Sequence, residues 1–171
     1  EDRYRILERS AGPDDQGDVG EGREGIVMKE EEFDGIVDGI QSQIDAEEEK
    51  VFPAKVLKEF RDPKNLGRIE DPDRSGMIRG PCGDTMEFSI NIREGRVRKI
   101  LFVTDGCGPS IACGSMTTKM AKGKTVEEAL KIKGRDILNA LDGLPEENRH
   151  CAKLAVDALH ETLGKFPEEN P

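Results

Sequence analysis

Apolar residues in this chain change their period twice, from helical to alternating and back, and the changes divide it into elements. From Lys29 onward, Phe33, Ile36, Val37, Ile40 and Ile44 recur at helical spacing with carboxylates between them, which predicts an amphipathic helix. Its apolar stripe is expected to pack on its own domain, in preference to docking on another protein. Pro53 suits the first turn of a short helix carrying Val56, Leu57 and Phe60, stopped by Asp62-Pro63. Asn65-Leu66-Gly67 and Asp71-Pro72-Asp73 are turn chemistry, and Ser75 to Arg79 predict a short strand. Met86, Phe88, Ile90 and Ile92 then alternate with polar residues, Arg93-Glu94-Gly95 makes a turn, and Val97 to Thr104 supplies the second arm of a hairpin.

Beyond Thr104 the pattern is helical. One helix is predicted from Ser110 to about Lys122, and Thr125-Val126-Glu127-Glu128 is a capping box that opens a shorter one. Ile137, Leu138 and Leu141 mark a third segment closed by Asp142-Gly143. The last helix is expected to start near Pro145, carry Cys151, Leu154, Ala155, Ala158 and Leu159 at core spacing, and stop at Gly164. Strands followed by helices predict an α+β fold, a small antiparallel sheet with helices packed on one face.

Charge is unevenly divided along this frame. Residues 1–50 carry 17 acidic and 6 basic side chains, a net −11, so of the total −10 residues 51–171 hold +1. The acidity therefore belongs to an extension, read as a flexible tail over residues 1–28, with Met28 a candidate natural start, and an acidic helix over residues 29–51. Residues 52–171 form the functional domain. A near-neutral body without a basic stripe or interleaved aromatics argues against a nucleic-acid partner. No apolar run reaches membrane-spanning length and no signal peptide is visible, so a soluble, cytoplasmic protein is expected. Four cysteines are too few for a secreted disulfide scaffold.

Those cysteines carry the candidate chemistry. Cys107 lies between Gly106 and Gly108 where a strand gives way to a helix; the glycines leave its sulfur unshielded, and the helix start favours its ionised form. Such a thiolate is a nucleophile or a metal ligand. Cys82 is followed by Gly83 and Asp84, and Cys151 is preceded by His150. No Cys-x-x-Cys pair occurs, so a zinc ribbon or thioredoxin-like centre is unsupported. Three thiols, a carboxylate and an imidazole could converge on one open site of soft and exchangeable donors. Cys113 reads as a small buried helical residue and His160 as a solvated one.

Pro81-Cys82-Gly83-Asp84, Gly106-Cys107-Gly108-Pro109-Ser110-Ile111-Ala112, Gly123-Lys124-Thr125-Val126-Glu127-Glu128-Ala129-Leu130 and His150-Cys151, in this order, resemble the U-type iron-sulfur cluster scaffold family, IscU and the N-terminal domain of NifU. The resemblance runs from about Phe52 to Phe166. It implies a non-catalytic scaffold with the cluster site at one end of the sheet. Cys82, Cys107 and Cys151 would hold a transient [2Fe-2S] cluster built from iron and sulfur, with Asp84 and His150 as candidates for the remaining position and zinc as the metal of the cluster-free form. It also implies a cysteine desulfurase, a ferredoxin-like electron donor and acceptor apo-proteins as partners, and a homodimer when loaded.

Departures from the family qualify the expectation. Bacterial members carry Leu-Pro-Pro-Val-Lys before the His-Cys pair, read by an Hsp70-type chaperone; here Leu144-Pro145-Glu146-Glu147-Asn148-Arg149 puts two acids there, which argues against that partner. Cys113 and the acidic extension are additions. The alternative is a zinc-dependent persulfide acceptor, a sulfurtransferase that stimulates a desulfurase. That branch has an added segment between its second and third matching cysteines and lacks the histidine, so the short interval from Cys107 to Cys151 and the presence of His150 favour the scaffold.

Overall fold

The computed structural model describes residues 29–164 of a chain that divides into two units, Glu1–Val37 and Asp38–Pro171. The tail expected over residues 1–28 lies outside the described residues. Helix α1 (Glu30–Val51) begins in the first unit and ends in the second. In the second unit its Ile40 and Ile44 are 54% and 46% exposed, so this part of the stripe does not pack on its own domain as expected. The contact on the opposite edge is polar: the Arg61 guanidinium bonds Asp45 at 2.9 Å and Glu48 at 3.0 Å, while the isoleucines face water.

Strands β1 (Arg74–Arg79), β2 (Thr85–Arg93) and β3 (Arg96–Thr104) form an antiparallel sheet in that order. Alternation delivers Met86, Phe88 and Ile90 of β2 and Val97, Ile100 and Phe102 of β3 to one buried face, with a bulge at Asn91/Ile92 adjusting the register. Glu94 and Gly95 join β2 to β3 with φ of 53° and 69°, the left-handed pair of a type I′ turn whose twist matches that of the strands.

Helices α3 (Gly108–Ala121) and α6 (His150–Leu163) cover the buried face, and α2 (Ala54–Arg61) packs on α3. The fold is thus α+β with its helices on one side of the sheet. Gly114 sets how closely α3 approaches, since a Cβ there would lie 2.4 Å from the Phe102 ring. Short helices α4 (Val126–Ala129) and α5 (Gly134–Ala140) link α3 to α6; the predicted capping box opens α4, with Thr125 and Glu128 bonding each other's backbone N–H. After α2 the chain returns along β3, where the Gly67 N–H donates to the Phe102 carbonyl and the Phe102 N–H to that of Asn65.

Three further expectations change. Helix α3 starts at Gly108, earlier than Ser110, with Cys107 as its N-cap. Helix α6 starts at His150, not near Pro145: residues 146–148 form a separate 3-10 turn, which places His150 and Cys151 in a new first turn. His160 is half-buried, not solvated. Burial holds its pKa below the usual histidine value, against a hydrogen bond to the Ile132 backbone, and its Nε2 is buried without a partner.

Candidate metal centre

Three segments meet at one end of the sheet. The first is the connection from β1 to β2. Its Gly80 N–H donates to the Asp84 carbonyl at 2.8 Å and its Gly83 N–H to the Gly80 carbonyl at 3.0 Å. Gly83 takes φ +95°, a conformation that favours glycine, and Arg79 Nε donates to its carbonyl at 3.0 Å. Cys82 sits exposed on this tight turn.

The second segment joins β3 to α3 and is tied to the start of β2. Thr104 Oγ1 donates to the Thr85 carbonyl at 2.6 Å, and the Thr85 N–H donates to Asp105 Oδ1 at 2.6 Å. That backbone bond holds the Asp105 carboxyl below the usual carboxylate range. Cys107 follows, exposed at the helix N-cap. The third segment is the first turn of α6. Cys151 points inward and is buried, while His150 beside it is half-exposed with Nε2 3.7 Å from the Cys151 sulfur.

Asp84 reaches across the backbone of Gly106, where a Cβ would stand 2.6 Å from Asp84 Oδ2 and 2.7 Å from Ser110 Oγ. Only an absent side chain lets the carboxylate cross there. Its target is Ser110, in the first turn of α3 and fully buried. Ser110 Oγ lies 3.1 Å from Asp84 Oδ2, 3.3 Å from Cys151 Sγ and 3.8 Å from Cys107 Sγ. One hydroxyl thus touches three of the five candidate ligands. Its role depends on the meeting of loop, helix and helix end, so no local motif signals it.

Burial pushes the Cys151 thiol up to about 11; the Ser110 hydroxyl opposes that shift, while the neighbouring Cys107 and Cys82 add to it. Cys151 therefore feels both of these cysteines. Among the described residues, no three His, Cys, Asp or Glu side chains are already arranged around a single metal position. The convergent donors are two sulfurs, a carboxylate and an imidazole, with Cys82 on the adjacent turn. This mixture of soft and exchangeable groups suits zinc or an iron-sulfur centre. Cys113 stands apart: it is fully buried in α3, and desolvation drives its thiol well above the ordinary range. Beside Cys107 an apolar groove of about 280 Å³ opens between α2 and the start of α3, lined by Phe52, Val56, Phe60 and Pro109.

The family model described as "NifU-like N terminal domain" matches residues 51–171. This chain belongs to that family, the U-type scaffolds. Two iron-sulfur cluster assembly scaffold proteins of Archaeoglobus fulgidus are each 44% identical to it over 121 residues, 70% of this chain and 79% of theirs. The scaffold protein IscU of Escherichia coli is 37% identical over 120 residues, 67% of this chain and 93% of its own. Among solved structures, a NifU-like N-terminal protein from Brucella abortus superposes with a TM-score of 0.53 at 19% identity, over 68% of this chain and 94% of that one. A putative SUF-system scaffold from Fervidobacterium islandicum gives 0.54 at 16%, over 66% and 96%. At those identities the likeness is one of fold, and it agrees with the three-stranded sheet and its helical cover.

Proposed function

We infer that this U-type protein is a non-catalytic scaffold on which a [2Fe-2S] cluster is built and from which it is passed on. The observation that carries this reading is the gathering of Asp84, Cys107 and Cys151 around Ser110, with Cys82 near enough to act on the Cys151 thiol. Exposed Cys82 and Cys107 can accept sulfur from a cysteine desulfurase, and the apolar groove beside Cys107 offers a partner's side chain a place to rest. Three thiolates with one oxygen or nitrogen ligand hold a cluster less firmly than four thiolates, which suits cargo that must leave. Electrons would come from a ferredoxin-like donor and the cluster would go to acceptor apo-proteins. Asp84 and His150 are the candidates for the exchangeable position, and zinc would occupy the same donors before assembly. Among the described residues no helix is long and apolar enough to cross a membrane.

Anaerobic purification, metal analysis and reconstitution with iron and sulfide test the reading. A stable [2Fe-2S] absorption and circular dichroism spectrum is expected. A colourless protein with one tight zinc that resists reconstitution would overturn it in favour of the zinc-dependent persulfide acceptor. In the loaded protein Asp84→Ala is expected to slow delivery to an apo-ferredoxin several-fold, and unchanged transfer kinetics would remove Asp84 from that role.

A further inference from the structure

A serine hydroxyl has one proton to give and two lone pairs to receive. Ser110 is fully buried, so its partners are protein atoms: Asp84 Oδ2 at 3.1 Å, Cys151 Sγ at 3.3 Å and Cys107 Sγ at 3.8 Å. An ionised carboxylate only accepts, a thiol can donate or accept, and a thiolate only accepts. One proton cannot serve the carboxylate and a thiolate together. As placed, the Ser110 hydroxyl is the donor toward both Asp84 Oδ2 and Cys151 Sγ, and turning about its C–O bond passes its one hydrogen from one to the other.

We propose that Ser110 is a positioning residue of this site: its one hydroxyl hydrogen, shared between Asp84 and the Cys151 sulfur, holds these two candidate ligands in register, and when it goes to the sulfur it leaves Asp84 free. The proposal rests on the scaffold reading and adds to it a group that is not itself a ligand. Rotation of the hydroxyl breaks no covalent bond and needs no co-reactant. Two further features fit. Glycine at position 106 keeps the crossing to Ser110 open, and Ser110 is anchored in α3, whose approach to the sheet is fixed by Gly114 against Phe102.

The test is anaerobic titration of the full chain with cobalt(II), whose thiolate charge-transfer band reports the sulfur directly, on wild type, Ser110→Ala, Asp84→Ala and the double variant. Ser110→Ala is expected to weaken cobalt binding about 10- to 100-fold, as loss of groups that orient metal ligands does. It should also move the charge-transfer band to lower energy, because a sulfur without a hydrogen-bond donor gives up an electron more readily. The affinity losses of Ser110→Ala and Asp84→Ala should combine to less than their product, since one hydroxyl positions the other residue. Ser110→Thr, which keeps the hydroxyl, should keep the wild-type band and so separates positioning from packing. An unmoved band in Ser110→Ala, a band in Ser110→Thr shifted as far as in Ala, or fully independent affinity losses each overturn the role of Ser110 alone. A wild-type protein without any sulfur-to-cobalt band overturns the metal site and this role with it.

Discussion

Cys113 and Cys107 are six residues apart in one stretch of chain, yet burial gives them opposite chemistry. Cys107 caps α3 at the surface, whereas Cys113 lies against the core, where removal from water keeps its thiol protonated. Iodoacetamide added to the folded, metal-free protein should therefore modify Cys82 and Cys107 first, Cys151 slowly because its thiol is held up to about 11, and Cys113 only on unfolding. Peptide mass mapping over time checks this order, and early labelling of Cys113 would contradict its burial. His160 supplies a pH dependence of known sign. Burial lowers its folded pKa below 6.5, so the unfolded chain binds the extra proton first. Its contribution is present in full above the unfolded value and is lost as pH falls through 6.5 toward the folded pKa. Urea midpoints should drop on that side of 6.5, and His160→Asn should remove that part of the drop. A wild-type profile that His160→Asn leaves unchanged would rule the histidine out as its source.

The seam between α2 and α3 is fastened by a buried charge. Glu59, 4% exposed on α2, accepts from Ser115 Oγ at 2.6 Å and from Lys119 Nζ at 2.6 Å, both on α3, and the Lys64 N–H donates to Ser115 Oγ at 2.9 Å. Glu59→Ala takes the acceptor from the buried Ser115 hydroxyl and the ion-pair partner from Lys119, and should cost about 2–3 kcal/mol of stability, the scale of hydrogen bonds to charged groups. Denaturant unfolding measures the loss; a change under about 0.5 kcal/mol, as for an ordinary surface position, would mean the seam holds without it. This seam also shows the limit of reading elements from sequence. The apolar periods of α2, β2, β3 and α6 were legible because core packing is written in spacing, and the capping box of α4 because both of its partners lie within one turn. Glu59, Ser115 and Ser110 were not, since the Glu59–Ser115 bond and the bonds of Ser110 to Asp84 and Cys151 join segments more than 20 residues apart. The placement of the α1 isoleucines was not legible either, because an apolar stripe does not say which edge meets the domain: Asp45 and Glu48 bond Arg61, and Ile40 and Ile44 stay exposed.

At the scale of the whole molecule, the cysteine, aspartate and histidine motifs were legible as a set, whereas their arrangement around a hydroxyl was not, and that arrangement leaves the site open to one side. Cys82 and Cys107 are exposed while Cys151 is buried, so a cluster held by all three would sit at the rim with one flank facing solvent. An exposed cluster is reached by water and oxidants, and the simplest cover of matching chemistry is a second copy. Charge does not forbid it. The net −11 lies in residues 1–50, and residues 51–171, which contain every candidate ligand, total +1, so two domains can meet without strong mutual repulsion. The cluster-loaded protein is therefore expected to sediment as a dimer under anaerobic conditions and to fall to monomer when a chelator removes the iron. Because the joining contacts involve little net charge, raising the salt concentration should shift this equilibrium only slightly. A loaded form that remains monomeric at micromolar concentration would show that one chain closes the site by itself, with Asp84 or His150 completing the coordination.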